Sequence, residues 1–220
     1  MIRWKIESSR HKIKKIIPQS LLLQRLPRTA SNCVLLTFDD GPHPEITPKV
    51  LALLGAYNVR AIFFVVGRLI SRAPELLNII IGHGHLIGNH TYIHINGRQP
   101  PPVRYFFDVL RCQNTIKKLT GVSPNFFRPA GGRLSVASMF IPKIIGMKTI
   151  NWSLDADDWR CKSIRDARDV AGRLERNIAH RDIILLHDEN PYIIKILDLL
   201  LPILTSKNLD LHSGIDFLSS

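Results

Sequence analysis

The sequence predicts a single α/β domain in which helices wrap a parallel β-sheet. The chain has 220 residues, of which 45% are hydrophobic, so it can bury the core of one such domain. From about residue 33 onward, short apolar runs alternate with helical patterns, as expected for a parallel sheet. Nearly every polar candidate for catalysis comes at the carboxyl end of a predicted strand, which is where α/β barrels place their active sites.

Each predicted strand is a short apolar run, as expected for strands that are buried on both faces. The predicted strands are 34–38, 61–66, 85–88, 125–128, 149–153 and 183–186. Helices are predicted at 46–57, 104–119, 135–145, 163–178 and 191–205. The helix at 163–178 has the clearest pattern, because Ser163 can cap its N-terminus and its apolar residues share one face opposite the charges.

Positive charge is concentrated at the N-terminus. The formal net charge is +12, and the first 28 residues hold eight Lys or Arg against Glu7 alone. Composition changes most at about residue 30, so we predict a basic leader over 1–30 and one domain over 31–220. Isoleucines interleaved with basic residues in the leader favour a surface helix, which Pro18 interrupts.

Two roles fit this leader, because it can remain solvated or bind an anionic surface such as a cytoplasmic membrane leaflet. Nucleic acid fits less well, since the chain has no aromatic-interleaved basic patch, zinc-finger spacing or RNA-binding signature. The leader lacks the continuous apolar stretch of a secretory signal, and the longest apolar run, 61–66, is too short to span a bilayer. We therefore predict a cytoplasmic protein that is able to lie at the membrane periphery, with no membrane-spanning helix.

The three cysteines, Cys33, Cys112 and Cys161, are far apart and odd in number. This pattern favours reduced, buried thiols over a disulfide framework or a cysteine metal site. We expect all three to be structural.

Two motifs carry side chains whose chemistry suits a metal ion. The motif TFDDGP ends the first predicted strand with Asp39 and Asp40, and its Gly-Pro turn can direct both carboxylates to one site. The motif HTYIH places His90 and His94 four residues apart, on one face if the segment forms a helical turn. Taken singly, the first motif also fits a plain loop, and the second a capping or surface pair. Together, two imidazoles and one carboxylate make a three-ligand site with room for water, as in catalytic zinc sites.

With these motifs, the sequence resembles the NodB-like polysaccharide deacetylases, also called carbohydrate esterase family four. TFDDGP looks like the family's first motif, which implies that Asp39 is the general base and Asp40 a metal ligand. HTYIH resembles the family's H-[ST]-x-x-H motif, which implies that His90 and His94 are the other two ligands. The resemblance implies a distorted (β/α) barrel, with 31–220 as the homologous catalytic domain.

Three further motifs follow in the family's order. RPAGG at 128–132 is similar to the family's R-P-P-Y-G, but Ala130 and Gly131 replace Pro and Tyr. DADDW contains the family's D-x-x-D-W pattern, and the strand that ends at His187 looks like its L-x-H motif. The five motifs cover 37–187, about two thirds of the chain.

The resemblance also implies roles in proton transfer for residues of these motifs. His187 would be the general acid, held as an imidazolium by Asp155. Arg128 would orient Asp39 and hold it in its charged form.

On the substrate side, the resemblance implies that Pro129 and Gly131 belong to the binding loop, with a backbone N–H near Gly131 directed at the oxyanion. Trp159 and Leu185 would form the wall of a small apolar pocket for the acetyl methyl group. Ordinary core packing explains these last two residues equally well.

The implied reaction is removal of acetyl groups from N-acetylglucosamine units of an oligo- or polysaccharide. A divalent ion, most simply Zn²⁺ or else Co²⁺ or a similar ion, would activate water while Asp39 takes its proton. The same machinery fits hydrolysis of O-acetyl esters on a polysaccharide such as xylan. A third hypothesis is a catalytically silent sugar-binding or membrane-adaptor protein that acts through its basic leader.

Several histidines and carboxylates next to the motifs receive no catalytic role. They are His43, His83, His85, Asp157 and Asp188. We interpret the three histidines as loop or surface residues and the two carboxylates as helix caps or exposed side chains. Asp158 differs from them because it belongs to the matched D-x-x-D-W pattern.

Overall fold

The computed structural model describes residues 17–94 and 100–218, and its sheet is a strongly curved, eight-stranded parallel sheet. The strands are β1 (Leu22–Leu23), β2 (Leu35–Asp39), β3 (Ala61–Val65), β4 (Leu86–Asn89), β5 (Phe126–Phe127), β6 (Lys148–Ile150), β7 (Leu154–Asp155) and β8 (Ile183–His187). Their order across the sheet is β1-β6-β5-β4-β3-β2-β8-β7. This is the distorted (β/α) barrel that the sequence predicts.

Helices connect the strands and cover the outside of the barrel. The α-helices are α1 (Thr47–Ala56), α2 (Gly67–Ile70), α3 (Glu75–Gly82), α4 (Pro102–Thr120), α5 (Val136–Ile144), α6 (Ile164–Asn177) and α7 (Ile193–Ser206). Three 3₁₀ turns lie at Ala130–Gly132, Asp158–Arg160 and Ser213–Leu218. Because the strands are parallel, all of their carboxyl ends meet at one end of the barrel, and the motif residues gather there.

The strands alternate between two apolar layers. In β2, Leu36 and Phe38 point outward into the core shared with the helices, whereas Leu35 belongs to the core inside the barrel. Strand β8 alternates in the same way, since Ile184 and Leu186 are in the outer core and Ile183 is in the inner one. By this alternation of side chains, Asp39 and His187 point toward the barrel interior at its carboxyl end.

Most predicted elements are confirmed within a few residues. Helix α6 begins after Ser163, whose side chain accepts a hydrogen bond from the Asp166 N–H, as its pattern predicts. Strands β1 and β7, of two residues each, were missed. Helices α2 and α3 were also missed, and β6 ends at Ile150 rather than continuing to Ser153.

The end of the basic leader belongs to the barrel. Strand β1 pairs with β6, and its two leucines are 2% exposed. Leu26 is fully buried, and Arg25 forms an ion pair of 2.6 Å with the buried Asp182. The predicted boundary at residue 30 therefore lies inside the folded unit, because the apolar residues that precede it pack as a strand. The predicted surface helix lies largely in 1–16, outside the described residues.

The cysteines agree with the sequence prediction. Cys33, Cys112 and Cys161 are all buried free thiols. No helix in the described parts of the chain has the length and apolar character needed to cross a membrane.

Deleting residues 1–28 should unfold or strongly destabilise the domain, because it removes Leu22, Leu23 and Leu26. Each buried leucine contributes about 1.5–3 kcal/mol, so we expect a loss of about 5 kcal/mol or more in unfolding free energy. Deleting 1–16 keeps every described contact and is the matched control. Urea denaturation of both truncations measures the difference, and equal midpoints would show that β1 is not part of the cooperative unit.

Candidate metal and catalytic site

Three motif side chains converge at the carboxyl end of the barrel. Asp40 follows β2, His90 follows β4, and His94 lies four residues further on. Their potential ligand atoms all lie within 4.8 Å of one another. The His94 Nε2 atom is 2.8 Å from Asp40 Oδ1, and the His90 Nε2 atom is 3.4 Å from the same oxygen. The second carboxylate, Asp39, lies beside them, with Oδ2 3.5 Å from His90 Nε2.

The residues of this cluster fit a divalent cation. His90 Nδ1 is 2.8 Å from the Arg128 carbonyl oxygen, which can only accept, so Nδ1 carries the proton and the Nε2 lone pair is free. Asp40 Oδ1 and His94 Nε2 are buried, and outside the close contacts within the cluster neither atom has a hydrogen-bond partner among the described residues. Two imidazoles and a carboxylate are the donor set of open catalytic zinc sites.

The two histidines come together through a strained loop rather than a helical turn. Thr91 and His94 have positive φ angles of 68° and 48°, which an α-helix excludes. The helical-turn interpretation of HTYIH is therefore wrong, although the rings do meet, with centroids 4.9 Å apart. Asp108 on α4 holds the loop, because its carboxylate accepts the Tyr92 N–H at 3.0 Å and the Ile93 N–H at 3.2 Å. Sequence reasoning missed Asp108, which lies 14 residues from the nearest ligand and in no motif.

Arg128 is fully buried inside the barrel and binds Asp39 directly. Its Nη1 atom donates to Asp39 Oδ1 at 2.7 Å and to the Thr37 hydroxyl at 2.8 Å. Its other nitrogens donate to the carbonyl oxygens of Ile150 and Asn151. The guanidinium also lies 4.1 Å from the centroid of the Phe64 ring. These contacts fix the position of the Asp39 carboxylate.

His187 is held by Asp158, not by Asp155. The Asp158 carboxylate contacts His187 Nδ1 at 2.8 Å with one oxygen and accepts the His187 backbone N–H at 2.8 Å with the other. Burial favours the neutral imidazole, but the hydrogen bond and charge of Asp158 raise the pKa of His187 to about 9. The Asp155 carboxylate instead accepts the Asp157 N–H, so the predicted Asp155 contact is wrong. Asp158 is fully buried, because the 3₁₀ turn that begins there directs its side chain inward.

Asp188 and His85 are buried, contrary to the sequence interpretation. Asp188 is 1% exposed and accepts a hydrogen bond from the Thr47 hydroxyl, and burial raises its pKa to about 7. A Cβ atom on Gly41 would lie 2.3 Å from an Asp188 oxygen, so this carboxylate packs directly under the DDGP turn. His85 precedes β4, is 3% exposed and accepts the Ala61 N–H.

A protein-family model identifies the family to which this chain belongs. A model described as "Polysaccharide deacetylase" matches residues 27–150, which is more than half of the chain. The chain belongs to the polysaccharide deacetylase family. The family resemblance inferred from the motifs is thus confirmed.

Individual relatives of this chain include deacetylases of peptidoglycan. The peptidoglycan-N-acetylglucosamine deacetylase of Bacillus cereus is 32% identical over 177 residues, covering 80% of this chain and 81% of that protein. PgdA of Listeria monocytogenes, a peptidoglycan-N-acetylglucosamine deacetylase, is 31% identical over 80% of this chain. This chain spans only 36% of the length of PgdA. The crystal structure of the Bc1960 peptidoglycan N-acetylglucosamine deacetylase superposes with a TM-score of 0.79 at 29% identity, covering 87% of this chain and 89% of that one.

The residues predicted to contact the substrate differ in how exposed they are. Gly131 is exposed at a φ of 59° in the RPAGG loop. Pro129 is buried at the start of the same loop. Leu185 is 4% exposed and lies two residues before His187 on the inner face of β8. Trp159 is 53% exposed, next to Asp158.

Asp108→Asn should loosen the loop that carries His94, because the amide keeps only one of the two oxygens that accept the backbone N–H groups of this loop. Residues that position metal ligands typically contribute 10-fold to 100-fold to affinity, so we expect zinc to bind about 10-fold to 100-fold more weakly. Equilibrium dialysis with zinc measures the dissociation constant. The matched control is Asp169→Asn, the same chemical change at an exposed position of α6. Equal affinities in the two variants would contradict a positioning role for Asp108.

Proposed function

We propose that this protein is a metal-dependent hydrolase that removes acetyl groups from N-acetylglucosamine units of a glycan. One observation carries the proposal: Asp40, His90 and His94 converge within 4.8 Å, while Asp39 and His187 flank them. Asp39 and His187 are register partners on the adjacent strands β2 and β8, so a candidate base and a candidate acid lie side by side. The proposal is supported by relatives that are peptidoglycan-N-acetylglucosamine deacetylases.

Asp40, His90 and His94 would hold a divalent cation, zinc or a similar ion such as cobalt. When bound, such an ion supplies a Lewis acid that polarises the acetyl carbonyl and makes water more acidic. Burial favours neutral His90, but the two aspartates raise its pKa, so protons compete with the cation for this site at low pH. We therefore expect activity to fall as the medium is acidified.

Asp39 is placed to act as the general base. Its Oδ1 atom is bound by Arg128, which leaves Oδ2 facing the ligand cluster, 3.5 Å from His90 Nε2. Oδ2 can therefore take the proton of a water molecule that attacks the acetyl carbon. Arg128 acts through Asp39, because its guanidinium is fully buried below the site.

His187 is placed to act as the general acid for the leaving amine. Asp158 binds its Nδ1 atom, so Nε2 is the ring nitrogen left to deliver a proton. With a pKa raised to about 9, the ring is protonated at neutral pH, as an acid must be before it acts. The Gly131 N–H would donate to the oxyanion, and Leu185 with Trp159 would contact the acetyl methyl group.

Asp39→Asn should abolish deacetylation without unfolding the site. The amide oxygen still accepts from Arg128, but it cannot take a proton, so we expect kcat to fall by about 10²-fold to 10⁴-fold. Acetate release from chitooligosaccharide measures the rate, and zinc uptake should persist because no ligand changes. The exposed Asp198→Asn is the control for the chemical change. A variant that keeps full activity would exclude Asp39 as the base.

Asp158→Asn should move the alkaline limb of the kcat/KM profile to lower pH. Activity that needs protonated His187 is lost as pH rises through its pKa, about 9 with Asp158 charged. Without that charge, burial favours the neutral ring more strongly, so the limb should move to lower pH. A cation bound at Asp40 would lower the pKa of His187 in both proteins. The two pH profiles are therefore measured with the same metal ion bound. Asp155→Asn is the matched control, and a shift in that variant instead would restore the Asp155 assignment.

The reaction itself is tested by acetate release from three substrates: chitooligosaccharide, peptidoglycan glycan strands and acetylated xylan. The protein is stripped with a chelator and then reloaded with zinc or cobalt. We expect release from the N-acetylated glycans, loss on stripping and recovery with metal. Release from acetylated xylan alone would favour the O-acetyl esterase alternative, and no release from any substrate would favour a silent protein. The cytoplasmic location and the membrane role of the leader stay predictions.

A further inference from the structure

Two neighbouring helices, α4 and α5, direct large apolar side chains into solvent. These residues are Val103, Phe107, Val136, Phe140 and Ile144, and their exposed fractions range from 45% to 74%. We call this set the α4–α5 face. Contiguous apolar surface of this kind commonly marks a site of interaction with a protein or a membrane.

The periodicity of each helix places these residues opposite the core. At 100° per residue, Val103 and Phe107 lie about half a turn away from the buried Tyr105 and Val109. Val136, Phe140 and Ile144 follow one another at intervals of four residues, on the side of α5 away from the buried Ser138 and Pro142.

The two helices also share one flank of the barrel. They pack against each other through a common cluster formed by Tyr105, Val109, Ile141 and Phe127. Their apolar outer sides therefore lie next to each other on the outside of the barrel. The first turn of each helix follows a site loop, so this flank adjoins the catalytic end.

Charge on this flank is almost entirely positive. Residues 102–146 contain a single acidic residue, Asp108, whose carboxylate is already bound to the backbone of the 92–93 loop. The exposed residues of the two helices include Arg104, Arg111 and Lys143. Apolar side chains edged by arginine and lysine are typical of surfaces that bind anionic lipid.

We propose that the α4–α5 face docks on the surface of an anionic lipid membrane. Two other occupants of this face, a second copy of the chain and the leader, are disfavoured by their positive charge. The chain carries a net charge of +12, and its first 16 residues hold six Lys or Arg against one Glu. A second copy or the leader would thus bring basic residues against basic residues. The outer sides of two helices form a convex surface, which suits a deformable lipid interface better than the concave groove that a peptide needs. This proposal does not depend on catalysis.

The test is co-sedimentation of the full chain with vesicles of phosphatidylcholine alone or with 30% phosphatidylglycerol, a composition of about one anionic lipid in three. We expect binding to the anionic vesicles and little binding to the neutral ones. Phe107→Ser with Phe140→Ser should weaken the partition about 10-fold or more, since two aromatic side chains leave the lipid. Arg104→Gln with Lys143→Gln should weaken it about 5-fold or more.

Matched controls carry the same kinds of change elsewhere on the surface. Tyr57→Ser with Ile164→Ser removes exposed apolar groups, and Arg165→Gln with Arg168→Gln removes two charges from α6. These controls should bind like the unmodified chain, and all variants should share its thermal midpoint. The leader is intact throughout, so binding that survives in both α4–α5 variants would assign the contact to the leader and overturn the proposal. Equal binding to neutral vesicles, or none to either kind, would overturn it as well.

Discussion

The buried Arg128 connects the parts of the site that must act together. Its side chain binds the Asp39 carboxylate, while its backbone carbonyl accepts from His90 Nδ1. One residue therefore positions the candidate base and also fixes the tautomer of a candidate metal ligand. A guanidinium is costly to bury, and this one is satisfied by Asp39, Thr37 and two backbone carbonyls. Removal of the Arg128 side chain would leave the buried Asp39 carboxylate without a positively charged partner. The inner face of the barrel therefore depends on this contact.

The ligand cluster also depends on backbone strain that its surroundings maintain. Asp40, Thr91 and His94 all have positive φ angles, which cost about 1–3 kcal/mol each for residues other than glycine. Asp108 holds the loop between His90 and His94, and Asp188 packs beneath Gly41. Strain of this kind is typical of functional sites, because neighbouring contacts keep the side chains in an orientation that a regular helix or strand would not give.

Much of the barrel and the ligand set can be predicted from the sequence, because motifs at strand ends need only a parallel sheet to bring them together. Asp39, Asp40, His90 and His94 meet for this reason. The choice between Asp155 and Asp158 depends on which carboxylate the 3₁₀ turn at Asp158–Arg160 directs inward, and both belong to one motif. The role of Asp108 could not be predicted from the sequence, because it comes from packing of α4 against a loop. Strand β1 was missed because two apolar residues after a basic stretch give no periodic pattern.

Anomalous X-ray scattering at the zinc edge, from crystals of the zinc-loaded protein, tests most directly whether Asp40, His90 and His94 bind one cation. We expect one strong peak within about 2.0–2.2 Å of an Asp40 oxygen and of the Nε2 atoms of His90 and His94. Asp39 and His187 should lie next to that peak without binding it. A peak elsewhere, or no peak after zinc loading, would show that Asp40, His90 and His94 do not form a metal site.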